Sequence, residues 1–208
     1  MKQLFSLLAG VFLLAGNAFS ADEAPDVLVK RVTEEVLTIV RTDKDIQSGN
    51  SKKAIELVET KVLPHFNFLR MTSLAVGKDW NKASPEQKKR LAKEFETLLV
   101  RTYSNALTAY KSQTIVYKPL KMQPGDTDVL VRTEIRQPGQ QAVQLDYGVE
   151  KQDNGAWKVY DVVVAGISLV TNYRETFAQE VRNGGIDGLI TTLADKNKQV
   201  EAKNEKKS

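Results

Sequence analysis

WKVYDVVVAGISLVTNYRETF, residues 157–177, is the stretch whose reading decides the fold. Its first part is apolar at Val159, Tyr160, Val162, Val163 and Val164, so a strand here presents apolar side chains on both faces. Gly166 marks a turn, and from Ser168 the spacing becomes helical. A strand of this kind needs cover on both sides, and something apolar must lie against it. Strict alternation divides it into one face with Tyr160, Val162 and Val164, and an opposite face with Trp157, Val159, Asp161 and Val163.

The strands before it alternate. Val129, Val131, Thr133 and Ile135 share one face with Arg132 and Glu134 opposite, and Val143, Leu145, Tyr147 and Val149 repeat the pattern against Gln144, Asp146 and Glu150. Pro138-Gly139 and Asp153-Asn154-Gly155 supply turns, and a weaker strand is expected over 114–117.

Further out the period is helical. Val29, Val32, Val36 and Val40 mark a helix over 24–41, a second runs over 51–63, and a short third over 66–76 ends at Gly77. Ser84-Pro85-Glu86-Gln87 reads as an N-cap, a proline at N1 and a capping-box glutamine. The helix it opens carries Leu91, Phe95, Leu98, Leu99, Thr102, Ala106 and Tyr110 along one stripe. Two closing helices, over 168–182 and 186–195, are separated by Asn183-Gly184-Gly185. Helices, then an antiparallel meander, then helices make an α+β chain: a curved antiparallel sheet with helices packed into its concave face.

The termini read as export signals and solvent. Lys2, the apolar run Leu4–Ala15 and the small residues of Ala18-Phe19-Ser20 form a cleavable secretory leader over 1–20. Twelve residues of helix rise about 18 Å, short of a hydrocarbon core of about 30 Å. Without the leader, 29 basic residues face 26 acidic ones. That excess sits in the tail 196–208, KNKQVEAKNEKKS, which reads as charged and disordered after a single domain over 21–195. There is no cysteine, so packing alone holds the fold and no lipid-modified cysteine tethers it. The chain is expected to be soluble and periplasmic. A basic stripe interleaved with aromatics, as nucleic-acid binding requires, is absent from the sequence.

Little of the chain speaks for catalysis. His65 is the one histidine, which leaves no two-histidine or thiolate metal site and no cofactor motif. Asp146 and Asp161 are the carboxylates that a cone-shaped fold could use; parity turns Asp146 away from Leu145 and Tyr147, and Asp161 away from Val162. Arg174 follows the strand near the mouth of the cone, as a surface cation or a phosphate contact. Phe95, Leu98, Leu99, Val131, Leu145, Tyr147, Val149, Tyr160, Val162, Val164, Ile167, Leu169, Val170 and Tyr173 form either an ordinary core or the wall of a cavity; periodicity does not separate the two.

Trp157, Tyr160, Asp161, Gly166, Ser168, Leu169, Tyr173 and Arg174, followed by Gly185-Ile186-Asp187-Gly188-Leu189, resemble the MlaC family of periplasmic lipid carriers, also known as a toluene-tolerance or ABC-transporter auxiliary family. Leu145-Asp146-Tyr147, the helix pattern Phe95, Leu98, Leu99, Tyr103, Leu107, Tyr110, and Gly77 with Trp80 extend the likeness over nearly the whole exported chain. The resemblance implies a fold like nuclear transport factor two, around a cavity for the acyl chains of a glycerophospholipid. It implies a monomer without enzymatic activity that shuttles lipid between an outer-membrane lipoprotein-porin complex and an inner-membrane ABC transporter bearing an MCE-domain ring, maintaining outer-membrane lipid asymmetry. Under it the fourteen apolar and aromatic positions become lipid contacts and Arg174 a headgroup contact. Two rivals remain: an enzyme on the same cone using Asp161 with Tyr160, and a filled-core adaptor that binds only proteins.

Overall fold

A computed structural model describes residues 23–205, so the leader expected over 1–20 lies outside the described residues. Five strands, β1 (Thr114–Tyr117), β2 (Asp128–Arg136), β3 (Val143–Lys151), β4 (Trp157–Val164) and β5 (Ile167–Ser168), form an antiparallel meander in chain order. The α+β reading holds. Along β2, Val129 and Val131 are buried between exposed neighbours and Thr133 between exposed Arg132 and half-buried Glu134, because one face is packed and the other meets solvent.

β4 does not alternate throughout. Tyr147 pairs with Val162 and Gly148 with Asp161, but Val149 pairs with Val159, so Tyr160 is the extra residue of a β-bulge. The bulge shifts parity by one. Trp157 and Val159 before it and Val162 and Val164 after it therefore share the face of Val149, Tyr147 and Leu145. This corrects the parity reading: Trp157 and Val159 join that face, and Tyr160 leaves it. Trp157, Val159, Val162 and Val164 thus form one apolar face interrupted by Tyr160 and Asp161, and Val163 lies on the other face opposite Asp146.

β4 turns into β5 through Ala165-Gly166, both with positive φ (50° and 82°), a two-residue hairpin that pairs Val164 with Ile167. Ile167 and Ser168 are thus strand, and the helix expected from Ser168 begins at Arg174 after a 3₁₀ turn over Thr171–Tyr173. Asp161 fixes this corner by accepting from the Val162 and Val170 amides at 2.8 and 3.3 Å.

The helices are α1 (Pro25–Thr42), α2 (Lys44–Gln47), α3 (Ser51–Leu57), α4 (Phe68–Val76), α5 (Pro85–Tyr103), α6 (Asn105–Thr108) and α7 (Arg174–Glu205). A π-helical turn over Val58–Val62 follows α3. The Ser84 capping box forms as expected, with the Gln87 amide on Ser84 Oγ and Gln87 Oε1 on the Ser84 amide. The long helix it opens does not continue to Tyr110. Ser104 Oγ donates back to the Val100 carbonyl at 2.6 Å, and the chain breaks into α6.

Gly185 (φ 66°, ψ −167°) kinks α7 at the expected stop. Beyond Asp195, where a disordered tail was expected, the helix continues through Glu205. Its polar residues recur at helical spacing against α5. Asn197, 3% exposed, donates to the Glu94 carbonyl; Arg101 donates to Glu201 and to the Asn197 carbonyl; Asn204 donates to the Arg101 carbonyl. Read as composition, these residues signal a solvated tail; read as a stripe, they are a seam.

Two cores result. α4, α5 and α7 enclose a solid cluster that includes Met71, Leu91, Phe95, Leu98, Phe177, Leu189 and Leu193. A second cluster joins the start of α1 (Leu28, Val29, Val32) to the sheet (Val129, Val131, Val149, Trp157, Val159).

Candidate functional site

α1 crosses the packed face of the sheet without filling it. A cavity of about 440 Å³ lies between them. Leu28, Val29, Val32, Val36 and Leu37 face it from α1, a broad stripe at helical spacing. Ile115, Ile135, Leu145, Tyr147 and Val159 supply the sheet side, one or two from each of β1 to β4. Ala106, Leu107, Ala109 and Tyr110, on and just after α6, close one end. Val62, His65 and Phe66 close another side. Phe66 is fixed there by a parallel bridge to Val159, on the stretch of β4 that β5 leaves unpaired.

Polar groups on this wall are few: Thr33, His65, Gln113 and the phenols of Tyr110 and Tyr147. Burial pushes the Tyr147 hydroxyl up to about 12, so it is a neutral donor at any physiological pH. Burial also lowers the His65 imidazole below its ordinary value, which favours its neutral form. The wall thus carries no buried charge. α1 is held over the cavity from both flanks, by Glu35 on Lys61 at 2.6 Å, by Arg41 on the Tyr110 hydroxyl at 2.6 Å, and by Lys30 above the Tyr117 ring. These contacts are solvated and individually weak.

Of the residues singled out in the sequence, Leu145 and Tyr147 line the cavity. Val131 and Val149 form the packed floor beside it, with Val162 against them. Val164 shares that face through its pairing with Leu145, and Ile167, opposite Val164 at the hairpin tip, is 61% exposed. Leu169 is half-buried, its amide bonded to the Val162 carbonyl.

The others lie elsewhere. Phe95, Leu98, Leu99 and Val170 are inside the solid helical cluster, and Tyr173 packs on it; Phe95 meets the Tyr173 and Phe177 rings edge-on at 5.1 and 5.2 Å. Tyr160 crosses the opposite face of the sheet, its hydroxyl donating to Asp128 at 2.7 Å under the Arg70 guanidinium. Arg174 is a helix cap: Nε and Nη2 both donate to the Leu74 carbonyl near the end of α4. The cavity lies between the sheet, α1 and residues 106–110, the last part of the helix expected from Ser84, and no residue of α7 lines it. The α1 residues were missed because a helical stripe looks the same whether it meets a filled core or a void. Asp161, opposite Gly148 and bonded to backbone amides, does not line the cavity, and Asp146 is buried on its own face with Gln144 and the Thr133 amide. Among the described residues no cluster of acidic or imidazole groups is arranged to hold a metal ion.

Comparison with known proteins points one way. A family model described as MlaC protein matches residues 30–195. The chain is 27% identical over 198 residues, 93% of its length and 92% of the relative's, to the intermembrane phospholipid transport system binding protein MlaC of Haemophilus influenzae. The toluene tolerance protein ttg2D of Pseudomonas putida is 27% identical over 187 residues, covering 89% of this chain and 84% of that one. A phospholipid-binding protein of Ralstonia solanacearum, solved in complex with a phospholipid, superposes with a TM-score of 0.78 at 38% identity, covering 85% of this chain and 98% of the other.

Proposed function

Because the chain belongs to the MlaC family, we propose that it carries a phospholipid whose acyl chains occupy the cavity beneath α1. The observation that carries this reading is the cavity itself: about 440 Å³, walled by aliphatic side chains and without a charged group except the half-buried, neutral-leaning His65. Its volume falls in the usual range for small-molecule sites, roughly 300–1,000 Å³. Each methylene removed from water contributes about 0.8 kcal/mol, so a long acyl chain left exposed costs on the order of 10 kcal/mol. A carrier in water must cover nearly all of that chain, and an uncharged aliphatic wall does so without demanding polar partners.

The relatives, one an intermembrane phospholipid transport system binding protein and one a protein solved with a phospholipid, support this role. No helix among the described residues is long and apolar enough to cross a membrane. The protein works in the periplasm, between an outer-membrane lipoprotein-porin complex that exchanges lipid with it and an inner-membrane ABC transporter with an MCE-domain ring. Its role is binding, not catalysis. The enzyme alternative required an inward Asp161 beside a polar pocket, and Asp161 instead anchors backbone amides away from the cavity.

Loading moves α1, which roofs the cavity and is held by buried apolar packing at both ends and by solvated contacts on its flanks. The test is denaturing mass spectrometry of the protein purified from a lipid-containing host. About one phospholipid per chain is expected. A lipid-free protein that stays lipid-free after mixing with phospholipid vesicles would overturn the assignment.

A further inference from the structure

One end of the cavity carries polar groups that acyl chains do not use. Tyr110 and Gln113 line it there. The Tyr110 hydroxyl donates to the Gln113 carbonyl at 2.5 Å and accepts from Arg41 Nη2 at 2.6 Å and Nε at 3.2 Å. The Arg41 guanidinium also lies 5.5 Å from the Tyr110 ring centroid. Arg41 is exposed and, among the described residues, pairs with no carboxylate; two of its five N–H groups serve the phenol and three stay available.

A second recess adjoins this end. Glu34, Leu37, Thr38 and Arg41 of α1 line it against Thr114, Ile115 and Tyr117 of the edge strand β1. Leu37 and Ile115 belong to both this recess and the apolar cavity. A chain leaving the cavity between those two side chains therefore emerges beside Arg41. At the same threshold the Tyr117 hydroxyl is buried without a partner in good hydrogen-bond geometry, although Thr33 lies beside it. A buried phenol in that position is a donor waiting for an acceptor. Glu34, the one carboxylate in the recess, is answered by Lys30 at 3.9 Å.

We propose that this threshold is the headgroup end of the site: Arg41, positioned by the Tyr110 hydroxyl, holds the phosphodiester of a glycerophospholipid, and Tyr117 donates to an ester oxygen at its glycerol backbone. The inference rests on the carrier reading and adds residues to it. A guanidinium with free N–H groups suits phosphate, and its place just outside the apolar wall puts the charge in solvent while the chains stay covered. Arg174, the cation expected from the sequence, also keeps three N–H groups but sits on the Leu74 carbonyl beside Gly77 and Asp79, and lines neither the apolar cavity nor the adjoining recess.

The test compares a phospholipid with a diacylglycerol of the same acyl chains, which lacks only the phosphate headgroup. Delipidated protein is mixed with vesicles containing both, and the lipid bound per chain is read by mass spectrometry. Each variant's phospholipid-to-diacylglycerol ratio is referenced to the unaltered protein, which cancels each lipid's escape from the vesicle. Arg41→Ala should lower the ratio by about tenfold or more, and Tyr110→Phe should lower it less. Arg41→Lys should restore part of it. Tyr117→Phe should weaken both lipids equally, since both keep the esters. An unchanged ratio in Arg41→Ala, or an equal loss of both lipids in it, would overturn the proposal. If inorganic phosphate alone binds the lipid-free protein through Arg41, seen by phosphorus NMR, while the ratio stays unchanged, the site serves free phosphate and the headgroup assignment is wrong. Failure of the unaltered protein to take up either lipid would instead sink the carrier reading itself.

Discussion

The Tyr160 ring lies across Gly148 so closely that a Cβ added at 148 would sit 3.0 Å from the phenol Cζ. The bulge makes this contact possible: it turns Tyr160 off the cavity face and lays it over the one residue of β3 that has no side chain. The ring is not free to yield, because its hydroxyl is bonded to Asp128 and Arg70 covers it while bridging to Glu150. Gly148→Val should therefore destabilise the fold by about 1–3 kcal/mol, measured by urea unfolding, without lowering lipid bound per folded molecule. An unchanged midpoint would mean the ring moves aside and the bulge is not fixed by it.

The same bulge explains why the sequence read correctly up to this point and then misled. The β2 and β3 faces, the Ser84 cap and the Gly77 and Gly185 stops were legible, because each follows from a local rule of pattern or cap. A one-residue bulge leaves no local mark in WKVYDVVV except its failure to alternate, so parity carried from Trp157 to Val164 inverted halfway. The cavity was less legible. Leu98, Ala106 and Tyr110 share one apparent stripe, yet the first lies in the helical core and the other two line the cavity. Which clusters are filled is a matter of three-dimensional volume, which no periodicity encodes.

That division can be tested by volume. Phe95→Ala, in the solid cluster, should cost about 3–5 kcal/mol of stability with lipid stoichiometry preserved in the folded fraction. Val32→Phe with Ala106→Phe, which add rings to the open volume, should change stability by less than about 1.5 kcal/mol yet reduce bound lipid to a minor fraction. Thermal unfolding and mass spectrometry on the same samples separate the two behaviours. If filling the cavity leaves the lipid load intact, the chains lie elsewhere.

Arg174 offers a contrast with Arg41. Removing its side chain in Arg174→Ala leaves the Leu74 carbonyl, near the end of α4, to solvent, for an expected loss of about 1 kcal/mol. The phospholipid-to-diacylglycerol ratio should not move. A drop in that ratio would return Arg174 to the headgroup role suggested by its place after the strand.

His65 sets a pH dependence. Burial at the cavity wall lowers its folded pKa below the unfolded value near 6.5, so between those two values the unfolded chain binds more protons than the folded one. Stability from this group is therefore complete above about pH 6.5 and declines as the pH falls through the lower folded value. His65→Gln should flatten that decline in urea unfolding followed from pH 7.5 downward. A slope identical in the two proteins would assign the acid sensitivity to other groups.

The central claim is that the acyl chains lie between α1 and the sheet, and photocrosslinking tests it most directly. A phospholipid carrying a photoreactive group midway along one chain is loaded, irradiated, and its adducts mapped by peptide mass spectrometry. Adducts should fall on residues such as Val32, Leu107, Ile135 and Leu145, which line the cavity. Adducts concentrated on Phe95, Leu98 or Phe177, in the cluster enclosed by α4, α5 and α7, would contradict it.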